Sequence, residues 1–343
     1  MSAQPKGRPD FDTAKQASRA SAGQPGPQFD AERDIARAGK IDLLTSTADE
    51  RRWSPDDPSV LCLERPFDVR RQAVMPDAWY PELRSTAAEA LAKDDRIRLG
   101  NEIIRWFLSG ILQGEKTAFH LCAQLGTRLE DAAAREFMAV QAQEEVRHAR
   151  AFSAYIAERW GTPYPVGDAF MRFLDELHAT VHVDRKIVGM GILIEGFAMG
   201  ALSNIRAHTL DPALARLLGH VLRDESVHHN FGTIWLEAAH RDYGEQEWRT
   251  LQRFARRGFQ TLCLNLISIA QRRVVYAPFG LEWHAVRAAV RADRARPDRA
   301  PGLEEAINPL TVLARNLKRA KLFSAAERGR HRALDTAAQI VEA

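Results

Sequence analysis

The chain has 343 residues, 45% of them apolar and 27% charged, with 21 glycines and 16 prolines. That supply of apolar side chains suffices for a full hydrophobic core, which excludes a disulfide-only scaffold and a chain disordered throughout. Lys plus Arg number 48 against 45 Asp plus Glu, and the resulting net charge of +3 singles out neither nucleic acid nor a membrane surface as a partner.

Residues 1–60 are rich in Ser, Ala, Gln, Gly, Pro and charge and carry almost no periodic apolar pattern. They read as a disordered N-terminal tail. The opening MSAQPKGRPD has no apolar core segment, so no secretory signal is expected there. Cys62, Cys122 and Cys263 stand far apart, without a C-x-x-C pair. This argues for a reducing compartment, and a cytoplasmic location is expected.

From Asp77 onward helical patterns begin, and between residues 97 and 275 apolar residues recur at three and four with no strand-like alternation. The first long helix is predicted over 97–125, with Ile104, Leu108, Ile111, Glu115, Phe119 and Cys122 on one face. The second, over 130–160, aligns Met138, Gln141, Glu145, His148, Phe152 and Tyr155. A third, over 184–208, aligns Val188, Gly191, Glu195, Ala198 and Leu202. Its apolar stretch from Ile187 to Leu202 carries Glu195 and reads as too short and too charged to cross a bilayer. The fourth, over 212–242, opens on Asp211-Pro212 and aligns Leu218, Val221, Glu225, His228 and Trp235. A fifth is predicted over 245–275. Long helices with short joints define an all-α bundle, here over residues 61–284. Residues 285–343, Arg- and Ala-rich, are predicted as a helical extension on the surface. They lack interleaved aromatic residues, so no nucleic-acid contact is expected.

One internal echo carries the chemistry. Glu115 precedes Glu145-Val146-Arg147-His148 by 30 residues, and Glu195 precedes Glu225-Ser226-Val227-His228 by 30 residues. A three-residue step turns a helix by about 300°, so each Glu-x-x-His pair projects from one face. All six side chains fall on the apolar stripes. Four carboxylates in one apolar core repel and cost several kcal/mol apiece in desolvation, whereas two divalent cations cancel them and leave the imidazoles as neutral ligands. Carboxylate oxygens with one imidazole per metal suit iron or manganese. Glu144 and Asp224 each precede a ligand glutamate. In a pseudo-twofold bundle they are expected crosswise, Asp224 on His148 and Glu144 on His228, each fixing a ring tautomer. His229 lies about 100° around the helix from His228 and is expected outside the site. His120, His178, His182 and His208 have no matching pattern.

On Glu115, Glu145, His148, Glu195, Glu225 and His228 the chain resembles the ferritin-like non-heme diiron carboxylate oxygenases and oxidases. The resemblance spans residues 100–240 and implies a ferritin-like four-helix bundle with flanking helices. It is similar to the p-aminobenzoate N-oxygenase, ribonucleotide reductase small-subunit and acyl-carrier desaturase families, but matches no single one of them. Phe152 stands where the reductase subunit keeps a radical tyrosine. Ala198 and Met199 stand where desaturases and multicomponent hydroxylases carry a threonine. Met190 replaces the tyrosine of reductase-like ligand-binding oxidases, and Val221 the additional histidine of the N-oxygenases, a role His220 is turned too far away to fill.

The resemblance implies two iron ions, with a Mn/Fe pair as the alternative, bound by those six residues as the catalytic centre. It implies O₂-dependent hydroxylation or N-oxygenation of a small or carrier-bound organic substrate. A desaturase or other oxidase, and a radical-generating subunit like that of ribonucleotide reductase, are the alternatives. The sequence has no flavin, nicotinamide or iron–sulfur motif, so electrons are expected from an external ferredoxin or reductase. A homodimer is the expected assembly, with no nucleic-acid or membrane partner. Gly191 and Ala198 are expected to leave room beside Glu195, and Phe119, Phe152, Tyr155 and Phe197 are candidate pocket walls.

Overall fold

The computed structural model describes residues 31–61, 63, 66–294 and 308–323. Helices α1 (Ala31–Glu50), α2 (Lys93–Gly126), α3 (Ala132–Trp160) and α4 (Asp168–Ala179) come first. A continuous run, α5 (Val183–His208), follows, then α6 (Pro212–Asp242), α7 (Glu245–Ile267), α8 (Trp283–Arg294) and α9 (Pro309–Arg319). No strand occurs among the described residues. Two helical hairpins, α2–α3 and α5–α6, pack together as the ferritin-like four-helix bundle. α1 lies across α3 and α6, α7 backs α4 and α5, and α9 lies on α5.

Local signals explain the joints. Asp131 opens α3 by accepting a bond from the Ala134 N–H at 3.1 Å. Asp211 opens α6 by accepting from Ala213 N–H at 2.9 Å, and Pro212 at the first helical position gives up a donor the helix would not have used. Asp211 also ties the bundle together, because Arg159 Nε and the Tyr155 hydroxyl both donate to its Oδ2 at 2.8 Å. Lys186 Nζ is buried and donates to the Leu177 and His178 carbonyls, the free end of α4.

Three expectations need correction. The tail does not run through residue 60: residues 31–50 form α1, and residues 1–30 lie outside the described residues. Its buried stripe is Ile41, Thr45 and Ala48, correctly spaced for a helix face but nearly without large apolar groups. The Arg37–Asp131 ion pair at 3.0 Å and the stacking of Arg37 on Trp235 add the attachment that apolar bulk does not. The fifth predicted helix stops at Ile267, not 275. Ser268 is extended, and Arg272 leaves helical geometry (φ −110°, ψ 25°) to place its guanidinium on buried Glu82, to which Tyr276 also donates at 2.8 Å. The extension, too, is more than a surface element. Leu310, Leu313 and Leu317 of α9 are buried, and Gly200 lets Pro309 approach where a Cβ would sit 2.9 Å from its Cα. Residues 295–307 and 324–343 lie outside the described residues.

α4 was absent from the predicted elements although Phe170, Phe173, Leu174 and Leu177 give it a clean apolar face. The run α5, 26 residues long, is long and apolar enough to cross a membrane, but 83% of its apolar window is buried inside the bundle.

Candidate dinuclear metal centre

α2 contributes Glu115, α3 Glu145 and His148, α5 Glu195, and α6 Glu225 and His228; all six are buried. The structure brings them into two groups. Ligand atoms of Glu115, Glu145, His148 and Glu225 lie within 4.8 Å of one another, and so do those of Glu145, Glu195 and His228. Glu145 belongs to both and stands between them. His148 Nδ1 lies 3.4 Å from Glu115, 3.2 Å from Glu225 and 3.9 Å from Glu145. His228 Nδ1 lies 3.2 Å from Glu145.

The outer ring nitrogens are crossed as the pseudo-twofold predicts. His148 Nε2 meets Asp224 Oδ2 at 3.0 Å, and His228 Nε2 meets Glu144 Oε2 at 2.8 Å. A carboxylate there accepts a hydrogen bond from Nε2–H and leaves Nδ1 as the inward lone pair. Both Nδ1 atoms and Glu195 Oε2 are buried without a hydrogen-bond partner, each aimed at the cluster. Four carboxylates and two inward imidazole nitrogens are a donor set for two hard or borderline divalent cations. The residues present fit a dinuclear site.

Three contributors escaped the sequence reading. Gln141 Nε2 donates to Glu195 Oε1 at 2.6 Å and to Glu145 Oε1 at 3.0 Å, so it ties the glutamate of α5 to that of α3. It sits one turn before Glu145 on the same stripe, a legible position to which no role was given. Arg147 Nη2 bridges Glu144 at 2.9 Å and Asp224 at 3.1 Å. Trp53 Nε1 donates to Asp224 at 2.7 Å, and its ring stacks on His148 at 5.9 Å between centroids. No signal could have found Trp53, because 171 residues separate it from Asp224.

His120, His178, His182 and His208 join neither group. His229 joins neither, yet its ring is buried and its Nδ1 lies 2.7 Å from the Gly191 carbonyl oxygen. The room expected at Gly191 is filled: a Cβ there would sit 3.3 Å from Gly232 Cα, so α5 and α6 touch backbone to backbone. Space lies instead between α2 and α5, in a cavity of about 40 Å³ walled by Trp106, Phe107, Phe170, Ile194, Phe197 and Ala198, with Glu115, Glu145, Glu195 and Glu225 at its inner end. Of the expected aromatic walls only Phe197 lines it; Phe119, Phe152 and Tyr155 do not. Met190 packs its sulfur 3.8 Å from Cys122 Sγ.

Without metal, protons hold the cluster together. Burial, then the neighbouring carboxylates, pushes Glu115 and Glu225 up; burial does the same to Glu195, with Glu225 and Glu145 adding to it. Burial also pushes Glu145 up, but the charge of His228, whose Nδ1 lies 3.2 Å away, outweighs that and holds it at about 2. Burial opposes charge on both imidazoles, yet Glu115 and Asp224 for His148, and Glu145 and Glu144 for His228, raise them well above the ordinary range. Between the ordinary and the raised values of these groups the folded metal-free chain therefore holds protons that the unfolded chain has released. Cluster stability falls as pH rises, since raised carboxyls lose it above their ordinary range and raised imidazoles lose it on deprotonating. Metal must displace those protons, so its affinity rises over the same span. The gap between metal-loaded and metal-free melting midpoints should widen from about pH 5 to about pH 8, measured by calorimetry on both forms. A gap that is flat or narrows with pH contradicts this assignment of protons.

No protein-family model matches the chain, and no curated protein matches it. Among solved structures, a variant of an R2-like ligand-binding oxidase with an aerobically reconstituted Mn/Fe cofactor aligns with a TM-score of 0.47 at 13% identity, over 83% of this chain and 94% of that one. At that level of likeness the assignment rests on the geometry of the chain itself. Fold and cluster together define a ferritin-like helical bundle with a buried carboxylate–histidine centre able to hold two metal ions.

Proposed function

We propose that the protein is an O₂-dependent non-heme diiron oxygenase that hydroxylates or N-oxygenates a small or carrier-bound organic substrate. The observation that carries this reading is the opening of an apolar cavity onto the four glutamates of a doubly histidine-ligated cluster. Glu115, Glu145, His148, Glu195, Glu225 and His228 would hold the ions, and two ferrous ions would supply the electrons that activate O₂. The residues do the rest. Asp224 and Glu144 hold the imidazoles in the tautomer that binds metal. Gln141 orients Glu195. The aromatic walls keep bulk water from the glutamates and admit an apolar group at the cavity's inner end. A cavity of about 40 Å³ accommodates a group of a few atoms, so a larger substrate requires its walls to part. An external ferredoxin or reductase would restore that one electron pair after each turnover, the other pair that O₂ requires coming from the substrate.

The test is anaerobic loading with ferrous iron, then O₂ uptake and product formation across a substrate panel with a chemical reductant. O₂ uptake in proportion to bound iron, with oxygen incorporated into a panel member, is expected. Iron-loaded protein that consumes no O₂ contradicts the reading. Electron paramagnetic resonance during the same reaction should show no stable tyrosyl radical beside the cluster. Phe152 occupies the place one turn after His148, and the nearby Tyr155 hydroxyl donates to Asp211 at 2.8 Å. A tyrosyl signal that disappears in Tyr155→Phe would favour the radical-subunit alternative.

A further inference from the structure

Glu195 is the first residue beyond a widened stretch of helix. Val188–Ile194 winds as a π-helix, and its last bond runs from the Glu195 N–H to the Met190 carbonyl, five residues back. From Glu195 the chain is an α-helix again. An α-step carries the next donor, Gly196 N–H, back four residues to Ile192, so the carbonyl of Gly191 is passed over. Every return from a π-step to an α-step skips one acceptor in this way. In a buried helix an acceptor left without a donor is costly.

His229 supplies the missing donor. Its Nδ1 lies 2.7 Å from the Gly191 oxygen, and because a carbonyl only accepts, Nδ1 carries the proton. Three glycines make the approach possible. Gly191 lies against Gly232, one turn beyond His229, and a Cβ on Gly196 would lie 3.4 Å from the ring's Cε1.

We propose that His229 is a positioning residue for Glu195: it captures the one carbonyl that the widened turn sets free and thereby pins that turn immediately before the glutamate. A π-turn can migrate along a helix one residue at a time. Moved by one, it would free the carbonyl of Met190 or Ile192 instead, whereas the hydrogen bond of His229 Nδ1 is to Gly191. Annealed to a plain α-helix, it would swing Glu195 by about 100° relative to the preceding turn, off the face it shares with Gln141 and Glu145. The single donor thus selects the one placement of the widened turn that aims Glu195 inward.

This inference rests on the metal-binding reading, and its test separates the two. Ferrous ions are titrated into apo wild type, His229→Leu and His229→Asn, the last retaining a donor near the position of Nδ1. Wild type and His229→Asn should take up two ions. His229→Leu should bind normally at the Glu115, Glu145, His148 and Glu225 group, but bind the ion shared by Glu145, Glu195 and His228 about 10–100-fold more weakly. A merely structural role would lower melting midpoints without separating the two ions. The positioning role is overturned if His229→Leu holds both ions as tightly as wild type, or if His229→Asn is as impaired as His229→Leu. A wild type that takes up fewer than two ions instead overturns the metal reading, and the positioning role with it. Histidine-labelled wild type examined by heteronuclear NMR gives an answer even if His229→Leu does not fold. His229 should carry its proton on Nδ1, and a proton on Nε2 overturns the proposal.

Discussion

Glu195→Ala should reduce bound iron from two ions per chain to one or fewer and abolish the O₂ reaction, while the metal-free protein stays folded. Glu195 Oε1 accepts from Gln141 at 2.6 Å, but Oε2 is buried without a partner, and burial raises its pKa well above the ordinary carboxyl range. Among the described residues no Lys or Arg pairs with it. Its removal therefore strands no cation, and Gln141 retains its bond to Glu145 at 3.0 Å. At about pH 8, where burial of the carboxylates is most costly, the metal-free variant should melt no lower than metal-free wild type. A structural ion-pair glutamate behaves oppositely, since its loss costs about 3–5 kcal/mol. Metal analysis and thermal denaturation of both apoproteins decide between them. A variant that melts well below wild type and still holds two irons makes Glu195 a scaffold residue.

Asp224→Asn should weaken the ion at His148 by about 10–100-fold while leaving all six ligands in place. Asp224 accepts from His148 at 3.0 Å, Trp53 at 2.7 Å and Arg147 at 3.1 Å. Burial pushes its carboxyl up, but the bond from His148 and the charges of His148 and Arg147 hold it at about 2. An amide accepts from Nε2–H more weakly than a carboxylate and can turn its NH₂ to the ring instead, so Nδ1 competes for the proton that metal must displace. Glu144→Gln should do the same to the ion at His228, by the matching 2.8 Å contact. Metal titration with each variant, followed by the spectrum of the loaded centre, measures both effects. Equal weakening of both ions by either variant would show a general loss of structure rather than the crossed pairing.

The cluster was legible because a helix converts spacing into geometry. Two glutamates, each 30 residues before a Glu-x-x-His and each on an apolar stripe, leave little freedom once four helices pack. The crossed Asp224 and Glu144 contacts follow from the same pseudo-symmetry. What spacing does not encode is the break in regular winding. The π-turn over Val188–Ile194 shifts Glu195 relative to the residues before it, and a 3.6-residue stripe does not register that shift. For the same reason Gly191, expected to leave space, meets Gly232 instead. Contacts from distant segments were equally hidden. α1 buries Thr45 and Ala48 rather than a row of large apolar residues, so its sequence resembles a tail, and Trp53, just beyond its end, reaches Asp224 from 171 residues away.

The whole mechanism requires that the six side chains hold two metal ions. Anomalous diffraction at the iron edge from crystals of the iron-loaded protein tests it most directly. Two anomalous peaks are predicted, one bound by His148 Nδ1 with Glu115, Glu145 and Glu225, the other by His228 Nδ1 with Glu145 and Glu195. A single peak, or none among these residues in protein loaded with iron, would contradict it.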